Sequence, residues 1–362
     1  MVNQFFLPRK VKDIIVTLKD SGVPQDFLSI LPSQWLSKPI AGGILIEPTN
    51  FCNYKCSFCP INRGLQRKKG YMSMETFKTI VDQIKGKKDY IYMNFAGEPT
   101  MNRNIWKFAR YARDQGIKSM VSTNGSLLHT YTAEEILSSG LDRLLIAIDG
   151  ASPETYINYR QSMSGKNYFL DVIDNVRKLA KAKSEWQGES PIIQVQFVVF
   201  KQNEHEVQAM KDLCADLGVD ALALKSAAMT FGRQAGVQSD TASYQSEKYA
   251  RKKGRRVWCS WLWQGVVLWN GDVTTCCYDY EGEHVVGNFL TDGGFWKVWH
   301  SERFNKMRKA VLKGTPRLCQ QCELPNDDYA AERVFYKEAY GIKPNYEPPV
   351  KKEFLPIIQE HT

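Results

Sequence analysis

The chain has 362 residues, with 48 Lys or Arg and 39 Asp or Glu, so its formal net charge is +9. Its 43% hydrophobic content allows a buried core and excludes a disordered or collagen-like chain. No stretch approaches the ~18 consecutive apolar residues of a membrane span, and the charged N-terminus lacks the apolar segment of a signal peptide. We therefore expect about two domains, a cytoplasmic location and no membrane partner.

Nine cysteines are many for a cytoplasmic chain. An odd number in a reducing compartment argues against a disulfide framework and favours metal or redox use. The positive charge suits an acidic electron-transfer partner, a phosphorylated substrate or nucleic acid, but it does not choose between them, because net charge affects association and not mechanism.

Six short apolar runs alternate with helix-like segments along the first 226 residues. The runs are 42–48, 89–95, 117–122, 143–149, 192–200 and 219–225, and the predicted helices are 74–86, 103–115, 132–139, 167–183 and 204–217. Ser73, Thr132 and Asn203 are the predicted helix caps, and Glu135 completes a capping box with Thr132. Alternation of this kind predicts parallel strands joined by right-handed crossovers. The fold class is α/β: a partial (β/α)6 TIM-like barrel, with an open sheet as the alternative and the site at the carboxyl ends of the strands.

The alternation of apolar runs and helical segments ends after residue 226. The predicted organisation is a leader segment, the partial barrel, a polar connector, a small Cys-rich α+β domain, and a C-terminal helix with a tail. These parts span residues 1–40, 41–226, 227–256, 257–330 and 331–362. Cys214 lies in the middle of a predicted helix and is expected to be a buried apolar residue.

Three cysteines directly follow the first predicted strand. Cys52, Cys56 and Cys59 have the spacing C-x-x-x-C-x-x-C. Thiolates at short spacing hold zinc or iron–sulfur centres, and structural zinc takes four ligands. No fourth Cys or His lies nearby, so the pattern favours an iron–sulfur cube with one iron open to a small molecule. Zinc completed by a distant residue is the alternative.

This stretch resembles the radical S-adenosylmethionine (AdoMet) superfamily. The resemblance implies a [4Fe–4S] cluster on the three cysteines and places Phe58 against the adenine of AdoMet. At the second strand, Gly97 and Glu98 match the motif whose backbone and carboxylate hold the methionine ammonium group.

Further motif positions follow the third and fourth strands. Arg160 matches the arginine that pairs with the methionine carboxylate in related enzymes, and arginine can grip a carboxylate with two hydrogen bonds. The STNG segment resembles the ribose-contacting motif, and AIDG ends the fourth strand. The cofactor-binding residues predicted in these segments are Ser122, Asn124 and Asp149.

A second group of cysteines lies near the C-terminus. Four thiolates would complete the coordination sphere of a metal centre, and they are equally suitable ligands for zinc and for an iron–sulfur cluster. The order of motifs resembles the SPASM and twitch extensions of radical AdoMet enzymes, but a full SPASM domain carries seven or more cysteines. The resemblance therefore implies one auxiliary [4Fe–4S] cluster, with Cys277 as the competitor for one position. The predicted ligands are Cys259, Cys276, Cys319 and Cys322.

The resemblance also implies an activity and an electron donor. A reduced cluster passes one electron to AdoMet, and the resulting 5′-deoxyadenosyl radical abstracts hydrogen from the substrate. Flavodoxin or ferredoxin would supply the electron, and such donors are commonly acidic, which is compatible with the charge of +9.

Three hypotheses about the function of the protein remain open. The first is an oxidoreductase or epimerase acting on a hydroxyl-bearing carbon of a small polar metabolite of the sugar, aminocyclitol or nucleoside type. In that case Cys277 is the candidate hydrogen donor, and Asp279 and Glu281 are possible bases. The second is modification of a peptide or protein. The third, a zinc-stabilised module for nucleic acid, rests on basic runs that lack an aromatic-interleaved motif. Oligomeric state is not predicted.

Overall fold

The computed structural model describes residues 42–228, 244–246, 248–249, 259–320, 322, 332–339 and 341–346. The predicted leader and most of the predicted connector lie outside the described residues. No described helix is both long and apolar enough to cross a membrane.

Six parallel strands in consecutive order form the centre of one ten-stranded sheet that does not close on itself, and this arrangement confirms the predicted partial barrel. They are β1 (Gly43–Ile46), β2 (Tyr90–Met93), β3 (Lys118–Thr123), β4 (Arg143–Ala147), β5 (Ile192–Val199) and β6 (Ala221–Ser226). Each strand pairs in parallel with the next along the chain. Consecutive order places all six carboxyl ends on one edge, where the predicted site residues also lie.

Nine α-helices are described. They are α1 (Met74–Ile84), α2 (Ile105–Asp114), α3 (Ala133–Leu137), α4 (Pro153–Tyr159), α5 (Phe169–Ser184), α6 (Val207–Leu217), α7 (Phe295–Trp299), α8 (Glu302–Lys313) and α9 (Arg317–Gln320). Short 3-10 helices span Pro60–Arg63, Pro99–Met101, Leu128–Thr130, Glu204–Glu206 and Ser260–Trp263.

Two of the three predicted helix caps are confirmed. The Ser73 side chain accepts a hydrogen bond from the Thr76 backbone, and Thr132 and Glu135 form the reciprocal capping box. The prediction for Asn203 is wrong. Its side-chain amide donates to the carbonyls of Asp149 and Val198, so it joins two strand ends and makes no cap.

The two faces of the six-stranded sheet differ in chemistry. Alternate strand residues such as Ile91, Val121 and Ile146 pack into the main core beneath the helices. Because side chains alternate across a strand, their neighbours lie on the opposite, inner face. Small and polar residues are frequent on that inner face, among them Asn94, Ser122, Ala147, Gln194, Gln196, Ala223 and Lys225. The inner face is therefore suited to a polar ligand.

The Cys-rich C-terminal region continues the same sheet, as a small α+β unit. Its strands are β7 (Val266–Val267), β8 (Asp272–Thr274) and β9 (Val285–Asn288). Strand β7 pairs in parallel with β1, and β8 and β9 follow as antiparallel neighbours. The strand that leads into the first cysteine group thus has the C-terminal region as its direct neighbour.

The predicted C-terminal helix after residue 331 is wrong where the structure describes it. Residues Glu332–Phe335 form strand β10, which pairs antiparallel with β6. Strand β6 would otherwise end the sheet with unpaired backbone groups on that side, and such edges favour pairing with another strand.

A buried lysine lies between the barrel and the C-terminal region. Lys88 donates to the Trp263 carbonyl at 2.7 Å and lies 5.0 Å from the Trp299 ring centroid. Burial lowers the pKa of Lys88 to about 7, opposed by Asp89 and assisted by Arg308. The folded protein therefore releases this proton near neutrality, whereas the unfolded chain keeps it to about pH 10.5.

We expect the stability of the wild type relative to Lys88→Met to rise with pH. Between about pH 7 and 10.5 the unfolded state binds more protons at this position than the folded state, so the free energy of unfolding increases with pH. Melting temperatures of both proteins from pH 6.5 to 9.5 measure the effect. Lys306→Met, at an exposed lysine of α8, is the control; a pH-independent difference for Lys88→Met would contradict the prediction.

Candidate functional site

The first cysteine group lies in the loop after β1. The Cys59 amide donates to the Cys56 carbonyl at 3.0 Å, and the Tyr54 amide donates to Cys52 Sγ at 3.4 Å. Burial raises the pKa of Cys59 to about 12, and the neighbouring Cys56 thiol raises it further. The pKa of Cys52 is raised by burial and by Glu98, Cys56 and Cys59 in turn, so the three thiols are close neighbours.

Backbone contacts fix this loop against the end of α4. Lys55 donates its amide to the Gln161 carbonyl at 2.7 Å, and Ser57 donates to Tyr159 at 3.2 Å. Tyr54 forms an isolated bridge with Ser162. The loop that carries the three thiols is therefore positioned by the segment that carries Arg160.

Glu98 lies between β2 and the 3-10 helix Pro99–Met101, and it is almost fully buried. Its carboxylate accepts hydrogen bonds from the Thr100 and Thr123 hydroxyls, both at 2.6 Å, and from the Asn124 amide at 2.8 Å. These donors come from two strand ends, so the carboxylate has a fixed position beside the first cysteine group. Such a carboxylate can hold an ammonium group.

Gly97 allows two loops to approach closely. A Cβ atom there would lie 2.4 Å from the Thr49 carbonyl oxygen and 2.6 Å from that of Phe51. The next amide, of Glu98, donates to the Phe51 carbonyl at 2.8 Å. No side chain fits at position 97 without moving the backbone that leads into the cysteine loop.

We expect Gly97→Ala to weaken AdoMet binding at least tenfold, because the displaced backbone carries both Glu98 and the loop before Cys52. Equilibrium dialysis with labelled AdoMet measures the change. Gly86→Ala is the control: its Cβ meets open space, and its positive φ costs about 1–2 kcal/mol of stability far from the site. Unchanged affinity in Gly97→Ala would contradict the expectation.

The end of β3 is joined to the cysteine loop by amide side chains. Asn124 donates to the Asn53 side chain at 2.9 Å and accepts from the Ser126 hydroxyl at 2.7 Å. Asn53 also donates to Ser126. Ser122 is half-buried on the inner face. Sequence reasoning missed Asn53, although its position beside Cys52 was a usable signal.

Asp149 and Arg160 form a buried ion pair. Arg160 Nε donates to Asp149 Oδ2 at 2.7 Å, and Asp149 Oδ1 accepts from the Val198 amide at 2.7 Å. Arg160 Nη1 lies 4.0 Å from Cys56 Sγ. Burial alone would lower the pKa of Arg160, but Asp149 and Cys56 raise it well above its usual value. The pair places a permanent cation next to the first cysteine group.

Phe58 is enclosed by aromatic rings. Its ring packs edge-on against Phe200, with centroids 5.3 Å apart, and tilts against Tyr244 at 5.5 Å. Phe58 is only 3% exposed. The structure therefore places every predicted cofactor residue at the carboxyl edge of the sheet. Their contacts with AdoMet stay predictions.

The second cysteine group brings together residues far apart in the sequence. Burial raises the pKa of Cys259 to about 12, and Cys322 and Cys319 raise it further. The pKa of Cys276 is raised by burial and then by Cys259. Cys277 is also close: its pKa is raised by burial, Cys276, Cys259 and Cys322. The five C-terminal thiols therefore lie near enough to one another to affect the pKa values of Cys259, Cys276 and Cys277.

Four of the cysteine sulfurs accept the same kind of backbone hydrogen bond. Cys52, Cys59, Cys259 and Cys276 each accept a backbone hydrogen bond from the residue two positions later. Cys277 receives one only from its own backbone. Hydrogen bonds to the sulfurs are typical of iron–sulfur ligands and tune the cluster.

The donor sets fit iron–sulfur clusters. All seven predicted ligands are thiols. Burial raises the pKa of Cys52, Cys59, Cys259 and Cys276, which favours their neutral form until iron binds. No group of three or more His, Cys, Asp or Glu side chains among the described residues is arranged to hold a metal ion. The fit accordingly rests on the donor set and its hydrogen bonds.

The two possible bases are engaged in holding loops. Asp279 is buried and accepts from the Thr274 hydroxyl at 2.6 Å and from the amides of Glu283 and His284. Glu281 accepts from the amides of Gln66 and Arg67. Asp279 is therefore not a surface carboxylate, and both carboxylates accept backbone hydrogen bonds in this arrangement.

The fold and the two thiol groups define a class of protein: a partial-barrel protein whose cysteine side chains fit iron–sulfur clusters. The family model of the radical SAM superfamily matches residues 46–214, and that of SPASM, an iron–sulfur cluster-binding domain, matches residues 259–323. The chain thus contains a radical SAM domain and, C-terminal to it, a SPASM domain. Its cofactors are AdoMet and [4Fe–4S] clusters.

Relatives with assigned names match to different extents. The chain is 27% identical to the mycofactocin maturase MftC of Mycolicibacterium smegmatis over 306 residues, covering 76% of this chain and 74% of MftC. It is 29% identical to the AdoMet-dependent heme synthase of Methanosarcina barkeri over 175 residues, covering 48% and 47%. The chain thus spans about half the length of the heme synthase.

Solved structures share the fold. Streptococcus suis SuiB bound to its precursor peptide SuiA aligns with a TM-score of 0.57 at 15% identity, covering 83% of this chain and 71% of SuiB. AnSMEcpe with bound AdoMet aligns with a TM-score of 0.54 at 17% identity, covering 78% and 87%. At these identities the likeness establishes the fold alone.

Proposed function

We propose that the chain is a radical AdoMet oxidoreductase or epimerase. It acts on a hydroxyl-bearing carbon of a small polar metabolite of the sugar, aminocyclitol or nucleoside type. The observation that carries this proposal is the polar inner face of the barrel. There, Asn94, Ser122 and Gln196 lie at the edge that holds Glu98 and the first cysteine group. Hydroxyl-rich ligands are recognised by a few placed amides and hydroxyls of this kind.

Seven thiols would hold two clusters in this proposal. Cys52, Cys56 and Cys59 would bind the cluster that receives AdoMet. The C-terminal group would bind one auxiliary cluster through Cys259, Cys276, Cys319 and Cys322. When bound, the reduced first cluster and AdoMet supply a 5′-deoxyadenosyl radical that abstracts hydrogen. A low-potential donor of the flavodoxin or ferredoxin type would supply the electron.

The protein's own residues bind and orient AdoMet. Glu98, fixed by Thr100, Thr123 and Asn124, would accept the methionine ammonium group. Arg160 would attract the methionine carboxylate while Asp149 holds its guanidinium group in place. Gly97 permits the approach of the β2 end to the cysteine loop. Reacting groups held in a fixed geometry lose less entropy on reaching the transition state.

The fate of the substrate distinguishes two versions of the proposal. In an oxidation, the substrate radical would lose its hydroxyl proton and one electron, for which the auxiliary cluster would be the acceptor. In an epimerisation, a thiol would return a hydrogen atom to the opposite face of the carbon, and the low-potential donor would supply the electron that, with a proton from solvent, restores the thiol. Cys277 is the candidate donor, because it is buried beside Cys276 and lacks the hydrogen bond that Cys276 accepts from the residue two positions later.

A second candidate function is modification of a peptide. The match to MftC supports it, because that match covers 76% of this chain. The number of cysteines weighs against it: the five thiols of the C-terminal region suffice for one auxiliary cluster only.

Deuterium transfer from cell extract tests the substrate class. Source cells are grown on deuterated medium, and their extract is divided at about 1 kDa, with and without protease treatment. Each fraction is incubated with the reconstituted enzyme, AdoMet and dithionite, and deuterium in 5′-deoxyadenosine is measured by mass spectrometry. We expect transfer from the small, protease-resistant fraction. Transfer only from a larger fraction that protease destroys would favour the peptide function and overturn this proposal.

A further inference from the structure

Arg67 occupies a junction between the two cysteine-bearing regions. We define the Arg67 junction as Glu47, Arg67, Trp269, Tyr280 and Glu281. Glu47 follows β1, Arg67 lies eight residues after Cys59, and Tyr280 lies four residues after Cys276. Sequence analysis missed this group, because its members are brought together only by folding.

The Arg67 guanidinium group contacts both regions at once. Nη1 and Nη2 donate to the two carboxylate oxygens of Glu47, at 2.9 and 2.5 Å. Nε donates to the Tyr280 carbonyl at 2.5 Å. The Glu47 side chain is fully buried, and that of Arg67 is 12% exposed. The planar guanidinium group has three donor nitrogens, so it can bind both oxygens of a carboxylate and a carbonyl at the same time. An ammonium group cannot make these three hydrogen bonds in the same geometry.

Four further hydrogen bonds join the same two regions. Glu281 accepts from the amides of Gln66 and Arg67, at 2.9 and 3.3 Å. The Trp269 amide donates to Glu47 at 3.2 Å, and the Trp269 indole donates to the Lys68 carbonyl at 3.2 Å. The segment that follows the first cysteine group is therefore held to the C-terminal region by both its backbone and its side chains.

Tyr280 extends the junction to the AdoMet edge. Its ring stacks on Phe95, with centroids 4.8 Å apart and planes at 25°. Phe95 lies two residues before Gly97 and packs with inner-face residues such as Leu45 and Tyr92. Both rings are half-buried, so one side of the stack is accessible. Tyr280 thus lies between the loop of Cys276 and the predicted AdoMet site.

We propose that Arg67 is a positioning residue: it fixes the loop of residues 276–283 against the barrel and holds the Tyr280 ring on Phe95, beside the predicted AdoMet site. This role rests on the proposed function, since it concerns the distance between the two clusters. Removal of Arg67 leaves Glu47 buried without its cation, which is costly, and frees the Tyr280 carbonyl. The loop of residues 276–283 then loses its main attachment to the barrel.

The test compares Arg67→Met, Arg67→Lys and Glu281→Ala with the wild-type holoenzyme. Arg177→Met is the control, because Arg177 pairs with Asp216 on the exposed surface. Hydrogen–deuterium exchange of residues 276–283 and the midpoint potential of the auxiliary cluster are measured, together with iron content and AdoMet affinity.

We expect exchange at residues 276–283 to be at least tenfold faster in Arg67→Met, with iron content unchanged and AdoMet affinity within threefold of the wild type. The potential should rise, because a loosened loop admits water, which favours the more negatively charged reduced cluster. Arg67→Lys should recover part of both effects. Glu281→Ala should show a smaller increase in exchange, and it tests the junction even if Arg67→Met does not fold.

Wild-type exchange and potential in Arg67→Met would overturn the inference. Loss of auxiliary iron in that variant would also overturn it, since Arg67 would then be needed for cluster binding itself. Failure of the proposed function is a separate result. If the wild-type protein holds only one cluster, there is no auxiliary cluster whose midpoint potential can be measured. Hydrogen–deuterium exchange at residues 276–283 then still tests the junction.

Discussion

Replacement of Cys56 by alanine is expected to abolish the reductive cleavage of AdoMet. Cys56 is buried at the centre of the first cysteine group, 4.0 Å from the Arg160 guanidinium group. Two thiols cannot hold the cube in place with one iron facing AdoMet, so production of 5′-deoxyadenosine with dithionite should fall at least a thousandfold. Iron content should fall by about one cluster, from about eight to about four irons per chain.

Cys214→Ala is the matched control for that variant. Cys214 is also a fully buried cysteine, but it lies in α6, where its thiol contacts Met210. Its removal should cost about 1 kcal/mol of stability or less, because a small apolar group is exchanged for a smaller one, and leave cleavage intact. Persistent 5′-deoxyadenosine production in Cys56→Ala would refute the assignment of the first cluster.

The second large effect is expected at the adjacent pair Cys276 and Cys277. Cys276→Ala should lower iron content by about one cluster, whereas Cys277→Ala should leave both clusters in place. The reason is the hydrogen bond from the Tyr278 amide to Cys276 Sγ at 3.4 Å, which repeats the one made to Cys52 by Tyr54. Iron analysis and Mössbauer spectra of anaerobically purified variants measure the difference.

The same pair of variants tests the fate of the substrate radical. If Cys277 returns hydrogen, turnover of wild-type enzyme in deuterated water should place deuterium in the product, and Cys277→Ala should lose it. Loss of a cluster in Cys277→Ala, with full iron in Cys276→Ala, would reverse the ligand assignment. It would also make Cys276 the candidate hydrogen donor.

Local patterns sufficed for most of the barrel. The six strands are found because each is a short apolar run between helical segments, and Thr132 with Glu135 marks a helix start within four residues. The sequence analysis did not predict helix α4, because its seven residues are too few to show a helical hydrophobic periodicity. The cap at Ser152 and the proline at the first helical position were usable signals. The failure at Asn203 has a different cause: its amide is used by two strand ends that are distant in sequence.

Long-range pairing limits what the sequence reveals about the ends of the chain. Residues 332–335 form a strand because β6 offers an unpaired edge, and nothing in their own order distinguishes them from a helix. The site shows the same contrast. Glu98 and Arg160 belong to recognisable local motifs, whereas Glu47 and Arg67 acquire a role only when the C-terminal region lies beside them.

The pairing of β7 with β1 restricts how this enzyme can be recombined with its relatives. The N-terminal half cannot be treated as an independent module, because removal of the C-terminal half would expose the backbone of the strand that leads to Cys52. A chimaera would need a donor fragment that supplies a matching strand next to Leu45 and Ile46. Loading of the cluster at Cys52, Cys56 and Cys59 in such a chimaera should therefore depend on how well the grafted strand pairs with β1.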